Sequence, residues 1–191
     1  MTLDAVLLAL AVLVGTALAA LLVGRADRLA LGVGSLGALA ASAVGGAAAV
    51  RALLSRSSAA TRVVPWSPPV GRVVLGVDAL SAFFLLCVFL VAGLAALYGW
   101  GYMARDAGRR RLGVPAAFFN LLVAAMVVVV LARDAVTFLV AWEVMTIASY
   151  FLVTFDSARE EVRRAGLTYL VASQLGAPVA GSPKPSPSAS V

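Results

Sequence analysis

A chain of 191 residues that is 62% hydrophobic and only 13% charged, with a mean hydropathy of +1.02, cannot clothe its apolar side chains as a soluble globule and belongs in a membrane. The net charge of +6 does not point to nucleic acid, because the arginines sit in short clusters between apolar runs, without the aromatic interleaving of a recognition surface. One cysteine and no histidine argue against an iron–sulfur cluster or a haem held by this chain, and no cofactor or metal site is expected.

The apolar runs lack the strict polar alternation of barrel strands, so they predict helices. A helix crosses the hydrocarbon core with roughly 20 mostly apolar residues. The expected fold is all-α, a polytopic transmembrane bundle of five or six spans filling residues 1–177. The first span, 3–23, carries Asp4 and no basic residue at its start and is too long for a signal peptide's apolar region, so it is expected to be retained.

The second span, 29–54, places Gly37, Ala41, Gly45 and Ala49 at four-residue steps, a stripe over which a neighbouring helix can come close, although so alanine-rich a segment could show it by chance. A connection follows in which VVPWSPPVGR breaks helix, and Trp66 suits the membrane interface. The third span, 77–100, begins beside Asp78, which is placed to cap a helix, and ends in LYGWGYMAR. There Tyr98, Trp100 and Tyr102 make an aromatic belt ahead of Arg105, Arg109, Arg110 and Arg111. Cys87, inside this span, reads as a small buried apolar residue.

The fourth span, 115–132, starts at Pro115, where a missing N–H costs nothing. Arg133 and Asp134 alone separate it from the fifth, 135–155, so the two should form a tight hairpin with those residues as a local surface pair. A polar connection of mixed charge, DSAREEVRRAG, reads as a solvated face. A short apolar run at 162–177 has marginal spanning length, and the Pro/Ser-rich stretch 178–191 is expected to be disordered. Connections one, three and five hold nine arginines against five in connections two and four, which puts the first set in the cytoplasm and the amino terminus outside.

The fifth span, AVTFLVAWEVMTIASYFLVTF, carries Glu143 near its middle. At 100° per residue, Thr146, Tyr150 and Thr154 fall within about 60° of Glu143. Phe138, Ala141, Met145, Ala148 and Leu152 fall on the other side and make an apolar back for lipid or a greasy neighbour. A mid-membrane carboxylate costs about 2.5–3.5 kcal/mol on insertion scales, so it is seldom kept without a partner or a task. Three readings stay open: a neutral, hydrogen-bonded acid, a structural ion pair, or a group that binds and releases protons. The only lysine is Lys184, so an ion pair within these spans would need an arginine at a helix end. Asp78 and Gln174 are weaker polar candidates, the first more readily a cap than a conductor and the second able to hydrogen-bond across helices.

VDALSAFFLL, LYGWGYM, FFNLLVAAMVVVVLARDAVTFLVAWEVMTIASYFLV and AGLTYLVASQLG, within about residues 75–177, resemble the amino-terminal part of the antiporter-like membrane subunits. These are the proton-pumping subunits of complex I (NADH-quinone oxidoreductase), hydrogenase 4 component B, formate hydrogenlyase subunit 3 and the large subunits of Mrp-type antiporters. The resemblance implies that Glu143 belongs to a proton channel and is coupled to a lysine on a later helix. It implies an inner (plasma) membrane location in a respiratory assembly, where this chain moves protons and other subunits carry the electrons. It implies partner subunits as well, among them one that supplies the missing helices. The family's roughly fourteen helices form inverted repeats, so a chain of five or six spans is truncated relative to it, and Gln174 stands where relatives often carry histidine. A structural assembly subunit, an inactive fragment and a subunit of a multisubunit cation/proton antiporter are the alternative readings.

Overall fold

The computed structural model describes residues 2–23, 26–55, 60–65, 72–106 and 111–154. The run 162–177 with Gln174, the tail 178–191, the whole DSAREEVRRAG connection, Trp66, Arg109 and Arg110 lie outside the described residues. Five helices follow in order: α1 (Thr2–Leu22), α2 (Asp27–Leu54), α3 (Ala79–Met103), α4 (Gly113–Leu131) and α5 (Ala135–Thr154). Each is long and apolar enough to cross a bilayer, and the protein is a multi-pass membrane protein. Between α2 and α3 lies a hairpin that the sequence analysis did not anticipate, β1 (Ala60–Pro65) and β2 (Arg72–Val77), antiparallel with Ala60 opposite Val77 and Pro65 opposite Arg72. Its strands ATRVVP and RVVLGV are rich in β-branched residues on either side of the sequence WSPPVG, and that was the signal available.

α2 is the central helix, packed against α1, α3 and α4. Its small residues permit this. Ala38, Ala41 and Ala49 are wholly buried, and Gly37 and Gly45 sit where neighbours press on the backbone. A Cβ on Gly37 would overlap Thr16 of α1, and one on Gly45 would overlap the ring of Phe89 in α3. The four-residue stripe therefore serves two partners, α1 at one end and α3 at the other. Leu13, Leu85, Phe89, Val123, Val127 and Leu131 fill the spaces around it.

A buried amide crosses the bundle where α1, α2 and α4 meet. Asn120 Nδ2 donates to Thr16 Oγ1 at 3.0 Å and to the Gly34 carbonyl at 3.0 Å, while Thr16 Oγ1 donates back to Val12 O at 2.7 Å. Both acceptors of this amide are thereby tied to a side chain that is itself wholly buried.

Cys87 is exposed on the outer side of α3 with Phe83, Phe84, Leu90 and Leu94, which corrects the expectation that it is buried. In a membrane the outer face of a helix is as apolar as the inner one, so hydropathy cannot tell them apart. Tyr98 and Tyr102 stack with ring centroids 5.9 Å apart and are exposed with Trp100 at the end of α3, as an interfacial belt would be.

The α2 packing gives a graded expectation. Gly45→Ala and Gly37→Ala each force a methyl into an occupied place and should lower stability by about 1–3 kcal/mol. Gly15→Ala meets nothing within 4 Å and should be neutral or stabilising by up to about 1 kcal/mol through helix propensity. Denaturant titration of the detergent-solubilised chain by circular dichroism checks the order.

Candidate functional site

α5 presents the polar seam. Ala141 and Ala148 of its apolar back are buried, Phe138 of that back is exposed, and the helix meets α4 where Phe151 stacks on Phe118 at a centroid distance of 4.5 Å. Glu143, Tyr150 and Thr154 are half-buried and Thr146 is buried. Thr146 Oγ1 donates to Trp142 O at 3.0 Å, and Thr154 Oγ1 donates to Tyr150 O at 2.8 Å. Both hydroxyls thus spend their protons on their own helix and keep lone pairs for another donor. Of the seam residues only Glu143 is a carboxylic acid, so proton exchange by this helix would fall to it.

Glu143 lies nine residues beyond Asp134, about 13 Å further along the axis of α5. Thr146, Tyr150 and Thr154 follow it up the same side of the helix, as their spacing predicts. Asp78, the other described candidate, stands at the start of α3 and does not join this seam. Among the described residues, no group of three or more acids, cysteines or histidines is arranged to hold a metal ion.

The edge of the bundle holds a second polar cluster, and its wiring corrects the sequence reading. Arg133 does not pair with its neighbour Asp134. Its guanidinium reaches across β2 to Asp78 Oδ2 at 3.0 Å and Ser81 Oγ at 2.7 Å. Its backbone N–H donates to Val74 O at 2.8 Å. The Asp134 carboxylate instead accepts the Thr137 N–H at 2.8 Å, which caps α5, and the Val74 N–H at 3.0 Å, which ties β2 to the α4–α5 turn. Asp78 caps α3 by accepting the Ser81 N–H at 2.7 Å, the role its place predicted. Sequence reasoning missed Arg133 because a contact over 52 residues leaves no local trace; an aspartate ahead of both α3 and α5 was the only hint.

The comparisons with known proteins agree with this architecture. Residues 72–112 match the family described as NADH-ubiquinone oxidoreductase (complex I), chain 5 N-terminus. NADH-quinone oxidoreductase subunit L of Mycobacterium tuberculosis is 34% identical over 118 residues, which is 60% of this chain and 18% of that protein. Hydrogenase-4 component B of Escherichia coli is 29% identical over 162 residues, 83% of this chain and 23% of that protein. Over these segments the chain is similar to antiporter-like membrane subunits. A solved structure of the Mrp complex from Dietzia sp. superposes with a TM-score of 0.65 at 28% identity, covering 90% of this chain and 18% of the matched one. The chain thus spans less than a quarter of the length of each of these relatives.

Both edge aspartates titrate below the ordinary carboxylate range. For Asp78 the main cause is the Ser81 N–H, helped by Arg133, and for Asp134 it is the Thr137 N–H followed by the Val74 N–H. A depressed folded value means that the contribution to stability is full above the unfolded value of about 3.9 and is lost as pH falls through the folded value. Amide protection factors at Ser81, Val74 and Thr137 should therefore hold from neutral pH to about 4 and fall below it. Asp134→Asn should abolish the acid step at Val74 and Thr137 and spare Ser81, and Asp78→Asn should do the reverse, as read by hydrogen exchange in detergent micelles.

Proposed function

We propose that this chain forms part of a proton-translocating membrane subunit in a complex I or hydrogenase-type respiratory assembly, and that Glu143 is the group that takes up and releases the proton. The observation that carries the reading is a half-buried carboxyl in the middle of a membrane-spanning helix, on the side where Thr146, Tyr150 and Thr154 supply polar groups. An acid so placed is costly unless it serves an ion pathway, and chains resembling this one work in such assemblies. The physics of coupling is direct. A cation brought within about 4–6 Å of a carboxyl lowers its pKa by about 1–3 units, and its withdrawal lets desolvation raise it again. The described helices hold no lysine, and the resemblance to the antiporter-like subunits implies a lysine on a later helix as the tuning cation.

The hairpin end of the bundle then faces the outside of the plasma membrane, which is the orientation the arginine count supports. A subunit of a multisubunit cation/proton antiporter is the second reading, favoured by the structural likeness to the Mrp complex. It uses the same carboxyl and differs in what exchanges against the proton.

Glu143→Gln keeps the shape and hydrogen-bonding capacity of the side chain and removes its proton chemistry. In the assembled complex, reconstituted in vesicles with a pH-sensitive dye, the variant should cut proton uptake at least about tenfold while the subunits still co-purify. Unchanged uptake would dismiss the proton-handling role, and loss of co-purification alone would favour a structural assembly subunit. Sodium flux measured in parallel separates the antiporter reading from the respiratory one.

A further inference from the structure

α5 meets the rest of the bundle in two ways. Along its length it packs chiefly on α4, and it is the least buried of the five helices. At its start it is held through polar contacts to β2 and, through Arg133, to the start of α3. We propose that Arg133 is a positioning residue that clamps the start of α5 to the start of α3 and so sets the axial height and rotation of α5, and with them the place of Glu143. The proposal rests on the reading of Glu143 as the proton-handling group.

Three features of the corner support it. First, the clamp joins two helix caps. Asp78 Oδ1 receives the Ser81 N–H at the start of α3 while Oδ2 receives Arg133, and Asp134 receives the Thr137 N–H at the start of α5. Displacing one helix start therefore strains the cap of the other. Second, one guanidinium nitrogen, Nη2, meets Ser81 Oγ and Asp78 Oδ2 together, held in place by a planar group at the end of a longer side chain than lysine's, whose ammonium sits on a shorter, flexible stem.

Third, the hairpin leaves room for the arginine. A Cβ on Gly76 would lie 2.8 Å from Arg133 Nε and 3.1 Å from its Cγ, so the side chain crosses β2 only because residue 76 is glycine. The hairpin in turn is anchored at its other strand, where Arg62 pairs with Asp4 at the start of α1. An α-helix is stiff along its axis, so a shift at Asp134 is carried to Glu143 about 13 Å further on.

A direct field from the Arg133 charge is the competing explanation for any effect on Glu143, and it makes different demands. It needs only the charge, whereas a clamp needs the geometry. The test uses the full chain in lipid nanodiscs. An infrared pH titration follows the carboxyl signal that Glu143→Gln removes. Pulsed electron resonance measures the distance between spin labels at the exposed positions Leu94 of α3 and Val153 of α5, on a Cys87→Ala background.

Arg133→Lys keeps the charge and Gly76→Ala keeps the arginine but blocks its path. In both, the titration midpoint of the Glu143 signal should move by about one pH unit, and the label distance should shift or broaden. A midpoint and a distance unchanged in both variants, with helicity retained, would overturn the clamp. So would a shift confined to Arg133→Gln, since only a charge effect behaves that way. If the parent chain shows no titration that depends on Glu143, the proton-handling reading has failed by itself. The distance measurement then decides whether the clamp holds α5 at all.

Discussion

Five helices in hydrocarbon gain almost nothing from one another by burying apolar surface, because lipid tails are as apolar as leucine. What holds them is close contact, and the smallness of α2 makes that contact possible. Gly37 admits Thr16 of α1 and Gly45 admits the ring of Phe89 of α3, while Ala38, Ala41 and Ala49 disappear completely between neighbours. The rest of the bundle is arranged around this thin helix. α4 completes the group by sending Asn120 to both α1 and α2, and that amide fixes the register of three helices that dispersion alone would leave free to slide.

The ends of the helices obey a different economy. At the membrane edge water competes, so each polar contact is worth less and the cluster gains from being shared. Two aspartates, one arginine and one strand meet there so that each member has two tasks. Asp134 caps α5 and receives β2, Asp78 caps α3 and receives Arg133, and Arg133 gives its backbone to Val74 and its side chain to Asp78 and Ser81. A strand with β1 on one edge and the α4–α5 turn on the other has few backbone groups left unpaired, which suits a connection lying against the bundle.

How far the sequence could be read follows from this division. Bilayer thickness constrains length and composition so firmly that the apolar runs at 3–23, 29–54, 77–100, 115–132 and 135–155 already outline α1 to α5. The cap at Asp78 was legible because it depends on spacing at one helix start. Cys87 was misplaced because a helix in lipid has no polar face to mark its outside. The hairpin was missed because prolines at 65, 68 and 69 spoke for a helix break and nothing in them said what filled the connection. Arg133 was paired with the wrong aspartate because sequence adjacency stands in poorly for reach when a long side chain can cross a strand.

Among the described residues α5 packs chiefly on α4, and such one-sided packing has a physical logic if the helix carries an exchangeable proton. A carboxyl locked in a dry, rigid site would keep one protonation state, since changing its charge there would leave a group without compensation. A helix packed along one face leaves the other face open to a partner or to water, and the charge can then be accommodated in both states. The same looseness would be ruinous if the helix could also slide, because a displacement of an ångström or so changes which groups can meet the acid. A firm hold at one end with freedom along one side reconciles the two needs. The corner at Asp134 supplies such a hold while leaving the seam at Glu143 half-buried.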